Sequence, residues 1–354
     1  MPGPLPRPFD VVTVPDFTEG DTAVFEARTL VFLASWAECG AAARGFPLHV
    51  ACIGEPPASI RRLAGRIGAS VTVHEPIRLR HDHHVGNKLR GLEVEPRTDR
   101  FLLLDVDIAI LSGLDRIAAF ERCIAACPED APNVRLEDWR VIYAGFDLPL
   151  PATIPPLAVE LDLPRFPRRM MGYEAGDAQL EAMLPYYNGG VVFAPWDCGL
   201  RGLWEQSIRR IAGLFPETPG PRKWIHHSDQ AALAVSIALL QRDGLAFRRL
   251  PDGFNARWQH LYAGSPPPEA ISVMHCCWNF LSTIKPGLVD TAGICRALDE
   301  FFLVKVDHRF QKLCLGDLLR LRPLRAARLF GGRRRVRTVC HRLQDACRRH
   351  LADA

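Results

Sequence analysis

Two aspartates one residue apart follow an apolar run in the segment RFLLLDVD, which ends at Asp107. Burying two like charges costs several kcal/mol unless something offsets them, as a bound cation would. Alternate residues of an extended chain face the same side, so Asp105 and Asp107 point together while Val106 packs behind them. Strand-end aspartates also cap helices and accept hydrogen bonds from loops, and the pair alone leaves that structural role open.

Hard divalent cations choose oxygen ligands, and two carboxylates with a substrate diphosphate are a common arrangement for Mg²⁺ or Mn²⁺. A diphosphate in turn indicates a nucleotide. If the nucleotide carries a sugar, the metal stabilises the charge on the leaving nucleoside diphosphate as the glycosidic bond breaks. Asp105 and Asp107 are therefore predicted metal ligands, with sugar transfer as the chemistry to test.

The elements that must position this pair are visible upstream, where strand-like and helix-like segments alternate. The predicted strands are FDVVTV, FPLHVACIG, SVTVHEP and RFLLLDVD, and the predicted helices are GDTAVFEARTLVFLASWAECG, PPASIRRLAGRIGA and NKLRGLEVE. This alternation predicts an α/β fold with a doubly wound, mostly parallel sheet flanked by helices. Ligands of such sheets bind at the carboxyl ends of the strands, which is where the two aspartates stand.

The second part of the chain is less regular. The segments IAIL, YYNGGVVFAPW and AISVMHCCW are predicted strands, and LRGLWEQSIRRIAGLF and SDQAALAVSIALLQRDG are predicted helices. Residues 113–180 contain the proline-rich run LPLPATIPPLAVELDLPRFPRR, which predicts a long excursion over the surface or across the active site. Cys123 and Cys127 have the i, i+4 spacing of a helix.

The composition indicates a globular protein, since the 354 residues are 48% hydrophobic and 24% charged. No uncharged apolar run approaches the ~20 residues of a membrane-spanning helix, and the first residues show no apolar signal region. We therefore expect a cytoplasmic protein. The 11 cysteines include no CxxC pair, so we expect free, mostly buried thiols in a reducing compartment.

Positive charge is concentrated at the C-terminal end. Residues 305–354 hold 14 Lys and Arg against 4 Asp and Glu. Arginine is mixed with Leu and Val there at helical spacing, which suits either a helix on an anionic membrane or a solvated helical face. We predict a main domain over residues 1–300 and a basic helical segment over residues 301–354. On a membrane, the basic segment would lie peripherally at the inner face. We expect no nucleic-acid partner, because the segment lacks interleaved aromatics or a known module.

A family resemblance covers about residues 10–287. The D-x-D segment after repeated β-α units resembles that of nucleotide-sugar transferases with the GT-A fold. More narrowly, the order of elements is similar to family-8-type glycosyltransferases, the glycogenin and lipopolysaccharide galactosyltransferase group. The resemblance implies transfer of a hexose from a nucleotide sugar, with UDP-hexose as the expected donor, to an acceptor hydroxyl with retention. It also implies Mn²⁺ (or Mg²⁺) and a carbohydrate, glycolipid or protein acceptor.

The resemblance assigns residues to the nucleotide end of the donor. VVTVPDF is similar to the group's first strand and base-binding loop, which places Thr13, Asp16 and Phe17 near the base. NKLRGLE puts Lys88 where the group has a basic residue for the nucleotide sugar, with Arg90 as its alternative. A solvated helix face explains Lys88 equally well, although a cation beside a diphosphate makes sense as a charge partner.

Two later segments resemble the sugar-binding elements of the group. In YYNGGVVF, Asn188 would hydrogen-bond sugar hydroxyls, and the two glycines would let the backbone approach the sugar. NGG is also ordinary turn chemistry. In HHSDQAAL, Asp229 and Gln230 open a helix and would face the sugar and the acceptor, while Ser228 or Asp229 would equally serve as an N-cap.

The final segment, AISVMHCCWNFLSTIKPG, resembles the group's terminal His and Lys-Pro element. There His275 would be the third metal ligand and Lys285 would contact the diphosphate. An imidazole beside two carboxylates suits Mn²⁺ better than Mg²⁺. The segment departs from the family pattern: His275 and Lys285 are ten residues apart, Trp278 stands where the family has Gly, and Gly287 stands where it has Trp.

Several other interpretations compete with sugar transfer. The loop RHDHHVG places His81, Asp82, His83 and His84 in a row, but adjacent loop residues do not converge on one ion, so a surface loop is favoured. A haloacid-dehalogenase-type phosphatase would continue D-x-D with Gly-Thr, whereas Ile108 and Ala109 follow here. A nucleotidyltransferase would show a Gly-rich phosphate loop after the first strand, and VPDFTEGDTA does not have that pattern. A non-catalytic nucleotide-sugar-binding protein of the same fold is the alternative of a different class. Stereochemistry stays open, because Asp229 or His227 could serve as the base of an inverting enzyme.

Overall fold

The computed structural model is an α/β structure, as predicted. It describes residues 7–18, 22–39, 45–77, 84–129, 134–156, 182–215, 228–264, 266–276, 284, 289–306 and 323–352. Its strands are β1 (Asp10–Thr13), β2 (Leu48–Ile53), β3 (Ser70–His74), β4 (Arg100–Leu104), β5 (Ile108–Ile110), β6 (Cys123–Pro128), β7 (Tyr187–Pro195), β8 (Ala246–Arg249) and β9 (Val273–His275).

Seven of these strands form the central sheet, in the spatial order β3-β2-β1-β4-β7-β6-β8. Neighbours are parallel except β7, which runs antiparallel to both β4 and β6. Every residue of β1, β2, β4, β6 and β7 is buried, as expected for a sheet covered on both faces. The carboxyl ends of β1, β2, β3, β4 and β6 therefore meet the start of β7 at one edge.

Helices cover both faces of the sheet. They are α1 (Thr22–Cys39), α2 (Ala58–Arg66), α3 (Asp115–Ala118), α4 (Leu136–Gly145), α5 (Leu200–Leu214), α6 (Ser228–Arg242), α7 (Trp258–Ala263), α8 (Thr291–Asp299) and α9 (Pro323–Leu351). Short 3₁₀ segments span His84–Glu93, Trp196–Cys198, Asp252–Phe254 and Pro268–Ala270, and a π-helical turn spans Glu300–Val306. One core layer contains α1, α8 and α9, and the other contains α4, α5 and α6.

A second sheet of two strands lies beside the carboxyl edge. β5 pairs antiparallel with β9, so that Ile108 stands opposite His275 and Ile110 opposite Val273. This pairing brings together two segments that are more than 160 residues apart in the chain. It is the feature of the fold that completes the site described below.

Some predictions about local structure were wrong. Cys123 and Cys127 lie in the buried strand β6 rather than at helical spacing, because a short apolar run fits a covered strand as well as a helix. NKLRGLEVE lies largely in the 3₁₀ segment His84–Glu93. Within residues 113–180, the described part contains α3, β6 and α4, so the irregular excursion was predicted to be too long.

In its described part, the basic C-terminal segment is helical and packs on the core, as predicted. The apolar side of α9 is buried against α1 and α8; it includes Val336, Val339, Cys340, Leu343 and Cys347. The nine described cysteines are free thiols. None of the helices in the described ranges has the length and apolar character that crossing a lipid bilayer requires.

Candidate active site

The two aspartates of the D-x-D segment stand at the carboxyl edge of the central sheet. β4 is buried throughout and ends at Leu104, so Asp105 is the first residue beyond the strand. Its backbone N–H donates to the carbonyl oxygen of Gly190 in β7 at 2.9 Å. Asp107 follows just before β5 and is 8% exposed. Both carboxylates therefore start from backbone that is fixed by the two sheets.

His275 reaches the aspartates through the small sheet. It stands opposite Ile108, and the next N–H, of Cys276, donates to the carbonyl oxygen of Asp107 at 2.9 Å. The His275 Nε2 atom lies 3.2 Å from Asp107 Oδ1. One potential ligand atom each of Asp105, Asp107 and His275 lies within 4.8 Å of the others. The structure thus brings together the three residues that were predicted as metal ligands.

The imidazole and the carboxylate affect each other's protonation. Burial opposes ionisation of Asp107, but the neighbouring His275 outweighs burial and lowers the pKa of Asp107 to about 2. For His275, burial also opposes the charged form and would lower the pKa. The neighbouring Asp107 outweighs burial and raises the pKa of His275 above its ordinary value. The other ring nitrogen, Nδ1, lies 3.0 Å from Oδ1 of the buried Asn255. Both nitrogens of the ring are therefore oriented by protein groups.

The two glycines of β7 leave room for charged side chains. A β-carbon on Gly190 would lie 2.4 Å from Asp105 Oδ2, well inside contact distance. A β-carbon on Gly189 would lie 3.0 Å from Asp229 Oδ2 and 3.3 Å from Lys88 Nζ. From the sequence, these glycines are expected to permit a close approach of the sugar. The structure gives them a further reason, since the protein's own carboxylates and amine occupy that space.

Lys88 is the cation at the centre of this edge. Its Nζ atom lies 2.9 Å from Asp229 Oδ2 and 3.3 Å from Asp105 Oδ1, and it donates to the carbonyl oxygen of Gly189 at 3.3 Å. Burial would lower the pKa of Lys88, but the two carboxylates outweigh burial and raise it. The amine is therefore charged, and it joins the D-x-D segment to the start of α6.

Asp229 and Gln230 present two buried acceptors at the same place. Asp229 is 2% exposed, and its backbone carbonyl accepts a hydrogen bond from Trp204 Nε1 at 2.7 Å, which fixes the first turn of α6. Its Oδ1 atom and Gln230 Oε1 have no hydrogen-bond partner among the described residues. Buried acceptors without partners are rare in native proteins, so these two are well suited to receive hydroxyl donors.

Asn188 uses both ends of its amide within the protein. Its Nδ2 donates to Glu129 Oε2 at 3.0 Å, and its Oδ1 accepts from the backbone N–H of Gly190 at 2.9 Å. Glu129 also forms a two-point ion pair with Arg257 at 2.8 and 2.9 Å. Burial opposes ionisation of Glu129, but Arg257 outweighs it and lowers the Glu129 pKa. This network supports the backbone beneath Asp105.

The residues predicted near the nucleotide base lie at the carboxyl end of β1. Asp16 is buried, and both of its carboxylate oxygens are used: Oδ1 accepts from the N–H and hydroxyl of Thr18, and Oδ2 accepts from Asn87 Nδ2 at 2.6 Å. The hydroxyl of Thr13 is buried without a partner among the described residues. Phe17 packs against the core. Asp16 therefore holds the loop that follows β1 in place.

Some predicted residues lie outside the described ranges: Lys285, His81, Asp82, His83 and His227. His84 begins the 3₁₀ segment that carries Lys88.

Sequence reasoning missed Glu129, Arg257 and Asn255. Glu129 follows the buried strand β6 directly, just as Asp105 follows β4, so the same signal could have identified it. Arg257 and Asn255 lie in an irregular segment before α7 and carry no recognisable spacing. Their position follows only from the pairing of Ala256 with Met274.

Several solved structures resemble the chain at low identity. The galactosyltransferase LgtC, solved with donor and acceptor sugar analogues, is 13% identical, with 77% of this chain and 88% of that chain covered and a TM-score of 0.43. GlyE from Streptococcus pneumoniae is 12% identical, with 86% and 64% covered and a TM-score of 0.46. Mouse xyloside xylosyltransferase 1 is 14% identical, with 77% and 99% covered and a TM-score of 0.42.

No curated protein matches the sequence. A family model described as the Rhodobacterales glycosyltransferase domain, however, matches residues 20–241, which is more than half of the chain. The matched region contains β2 to β7, the D-x-D segment and nearly all of α6. The chain therefore belongs to the Rhodobacterales glycosyltransferase domain family and is a glycosyltransferase.

Proposed function

We propose that this glycosyltransferase is metal-dependent and transfers a hexose from a nucleotide sugar, UDP-hexose, to an acceptor hydroxyl with retention. The observation that carries the proposal is the convergence of Asp105, Asp107 and His275 within 4.8 Å at the sheet edge. The family-8-type order of motifs supports the choice of donor and stereochemistry.

The side chains of Asp105, Asp107 and His275 fit a divalent cation as ligands. Two carboxylates and one imidazole are ligands that suit Mn²⁺, and two negative charges this close call for a positive one. The Nε2 atom of His275 faces Asp107, whereas Nδ1 is held by Asn255. A bound cation would supply positive charge that stabilises the leaving nucleoside diphosphate.

The remaining groups are assigned to binding of the donor and acceptor. Asp229 and Gln230 offer their unpartnered oxygens to sugar and acceptor hydroxyls. Lys88 lies between Asp105 and Asp229, where it contributes positive charge next to the diphosphate. The second N–H of the Asn188 amide is assigned to a sugar hydroxyl. The Oδ1 atom of Asn188 accepts from the backbone N–H of Gly190 and so supports that backbone.

Retention is assigned from the family resemblance. An inverting enzyme needs a carboxylate or imidazole that takes the acceptor proton. In a retaining enzyme Asp229 has a binding role instead: its Oδ2 pairs with Lys88, and its unpartnered Oδ1 accepts a hydroxyl donor. We therefore assign Asp229 to binding of the sugar and the acceptor. Thr13, Asp16 and Phe17 are assigned to the base, and Lys285 to the diphosphate, from the family resemblance.

The test is release of nucleoside diphosphate from UDP-, GDP- and ADP-sugars, with and without Mn²⁺. Wild type should act only with metal and prefer a UDP-hexose, while Asp107→Asn and His275→Gln should lose about 10²-fold or more in rate, since each removes a ligand from the charge-stabilising centre. The control is Asp99→Asn, an exposed aspartate at the opposite end of β4.

Three results would contradict the proposal. Metal-independent turnover would remove the role of the cluster. Release of phosphate from phosphomonoesters would favour the phosphatase interpretation. Tight donor binding without turnover, over a panel of carbohydrate, glycolipid and protein acceptors, would favour a binding protein.

We also propose that the exposed face of α9 contacts an anionic membrane surface. The face carries exposed arginines on successive turns, including Arg334, Arg337 and Arg342. Because the apolar face of the same helix is buried in the core, contact with lipid must be electrostatic, without insertion of the helix. Each arginine near such a surface contributes about 1 kcal/mol.

Sedimentation with vesicles tests this contact. Wild type should pellet with anionic vesicles at low salt and remain in solution with neutral vesicles or at high salt. The triple variant Arg334→Glu, Arg337→Glu, Arg342→Glu should lose binding. The matched control is the triple variant Arg140→Glu, Arg209→Glu, Arg210→Glu, exposed residues on α4 and α5 across the sheet. Equal pelleting of wild type and the triple variant would contradict the proposal.

A further inference from the structure

The segment before α7 holds a buried asparagine against the outer side of His275. Asn255 is 1% exposed, and its Oδ1 lies 3.0 Å from Nδ1 of His275. The imidazole nitrogen on the other side, Nε2, faces Asp107 at 3.2 Å. Asn255 is thus outside the group of three proposed ligands but touches one of them directly.

The backbone around Asn255 is tied to β9 on both sides. The N–H of Ala256 donates to the carbonyl oxygen of Val273 at 3.0 Å, and the N–H of His275 donates to the carbonyl oxygen of Ala256 at 2.7 Å. Gly253 packs so closely that a β-carbon there would lie 2.1 Å from the carbonyl oxygen of Ala270. The backbones of Asn255 and His275 are therefore joined by one hydrogen-bonded ladder, which places their two side chains next to each other.

We propose that Asn255 is a positioning residue for the metal site: its Oδ1 accepts the Nδ1 proton of His275, so that Nε2 presents its lone pair to the cation. This inference rests on the proposed function, because it needs a cation at Asp105, Asp107 and His275. Histidine ligands of metals are regularly oriented in this way by an acceptor on the second nitrogen.

The unused end of the amide supports a role for Asn255 beyond packing. Its Nδ2 atom is buried without a hydrogen-bond partner among the described residues. A leucine of similar size would fill the same space without an unpaired amide, but it would take this acceptor away from Nδ1 of His275. An asparagine at this position therefore makes sense through its bond to His275.

The closing experiment measures Mn²⁺ binding to the full chain without donor or acceptor, from the electron paramagnetic resonance signal of free Mn²⁺. Asn255→Leu removes the acceptor and should weaken Mn²⁺ binding about 10- to 100-fold. Asn255→Asp keeps an acceptor oxygen and should bind Mn²⁺ at least as tightly as wild type. The control, Asn87→Leu, removes another buried asparagine of the same edge, whose amide contacts Asp16 and Ile77, and should leave Mn²⁺ binding unchanged.

The outcomes separate this inference from the function on which it rests. If wild type binds no Mn²⁺, the metal site itself fails, and the role of Asn255 fails with it. If wild type and Asn255→Leu bind equally, the role of Asn255 alone is wrong. Equal weakening by Asn255→Asp and Asn255→Leu would also overturn it, because the acceptor oxygen would then be irrelevant. Weakening by Asn87→Leu would show that loss of any buried amide disturbs the site, which overturns the specific assignment.

Discussion

Alanine at position 190 tests the geometry of the site with a single added methyl group. Gly190 is not among the glycines with positive φ, so alanine is compatible with its backbone and the effect is steric. The new β-carbon would lie 2.4 Å from Asp105 Oδ2 and 2.9 Å from both Asp105 Cγ and His275 Cε1. The added β-carbon therefore clashes with two of the three proposed metal ligands, Asp105 and His275.

The size of the effect follows from these distances. Non-bonded heavy atoms pack at about 3.5 Å, so the Asp105 carboxylate must retreat by roughly 1 Å. The backbone N–H of Asp105 is bonded to Gly190 itself, so the strand cannot separate without losing that bond. A misplacement of about 1 Å costs about 10²-fold in rate, and we expect Gly190→Ala to lose that much activity together with tight Mn²⁺ binding.

The assay is nucleoside diphosphate release at saturating donor, with Mn²⁺ titrated separately. The control is Gly202→Ala in α5, where nothing lies within 4 Å of the added β-carbon. Alanine there should leave activity unchanged and should not lower the free energy of unfolding, because alanine favours a helix more than glycine does. Wild-type rate and Mn²⁺ affinity in a folded Gly190→Ala variant would refute the proposed arrangement of Asp105 and His275.

Two further substitutions test the charges of the fold. Lys88→Met removes the cation from the buried Asp229 and from Asp105, and should lower the free energy of unfolding by about 3–5 kcal/mol in urea titrations; a change below ~1 kcal/mol would refute the pairing. Asp10→Asn at the opposite edge of the sheet should cost about 1–3 kcal/mol at neutral pH. Burial opposes ionisation of Asp10, but hydrogen bonds from His49, Trp196 and Thr98 lower its pKa below the ordinary 3.8. The Asp10 carboxylate therefore stabilises the fold above pH 3.8, and this contribution is lost as the pH falls through the folded-state pKa. The free energies of unfolding of wild type and Asp10→Asn should therefore converge in acid. A difference that stays constant with pH would refute this reasoning.

The fold was largely predictable because its signals are local. β4 and the helix α6 have apolar patterns that specify their type from a few neighbouring residues, and D-x-D at the end of β4 indicated which edge of the sheet binds the ligand. The strand β6 was missed because its local signal does not distinguish a strand from a helix. Its short apolar run is identified as a strand only by its pairing with β7.

The site was only partly predictable because its contacts are long-range. The order of motifs suggested His275 as a partner of Asp107, but only the pairing of β5 with β9 places them 3.2 Å apart. Nothing in the local sequence shows that Lys88 pairs with Asp229, or that Gly190 is required by Asp105. These contacts join segments that are far apart in the chain, and no spacing rule encodes them.

The charges at this edge give an independent argument for a cation. Among the described residues, the carboxylates of Asp105, Asp107, Asp229 and Glu129 lie at this edge, and the fixed positive charges that act on them are Lys88, Arg257 and Arg28. Glu129 pairs with Arg257, Asp229 pairs with Lys88, and Arg28 acts on Asp107, so one negative charge at Asp105 and Asp107 is unmatched while the imidazole is neutral. Asp107 raises the pKa of His275, because a proton on the imidazole offsets this negative charge. A bound cation would offset it in place of the proton, at the residues that would hold the ion.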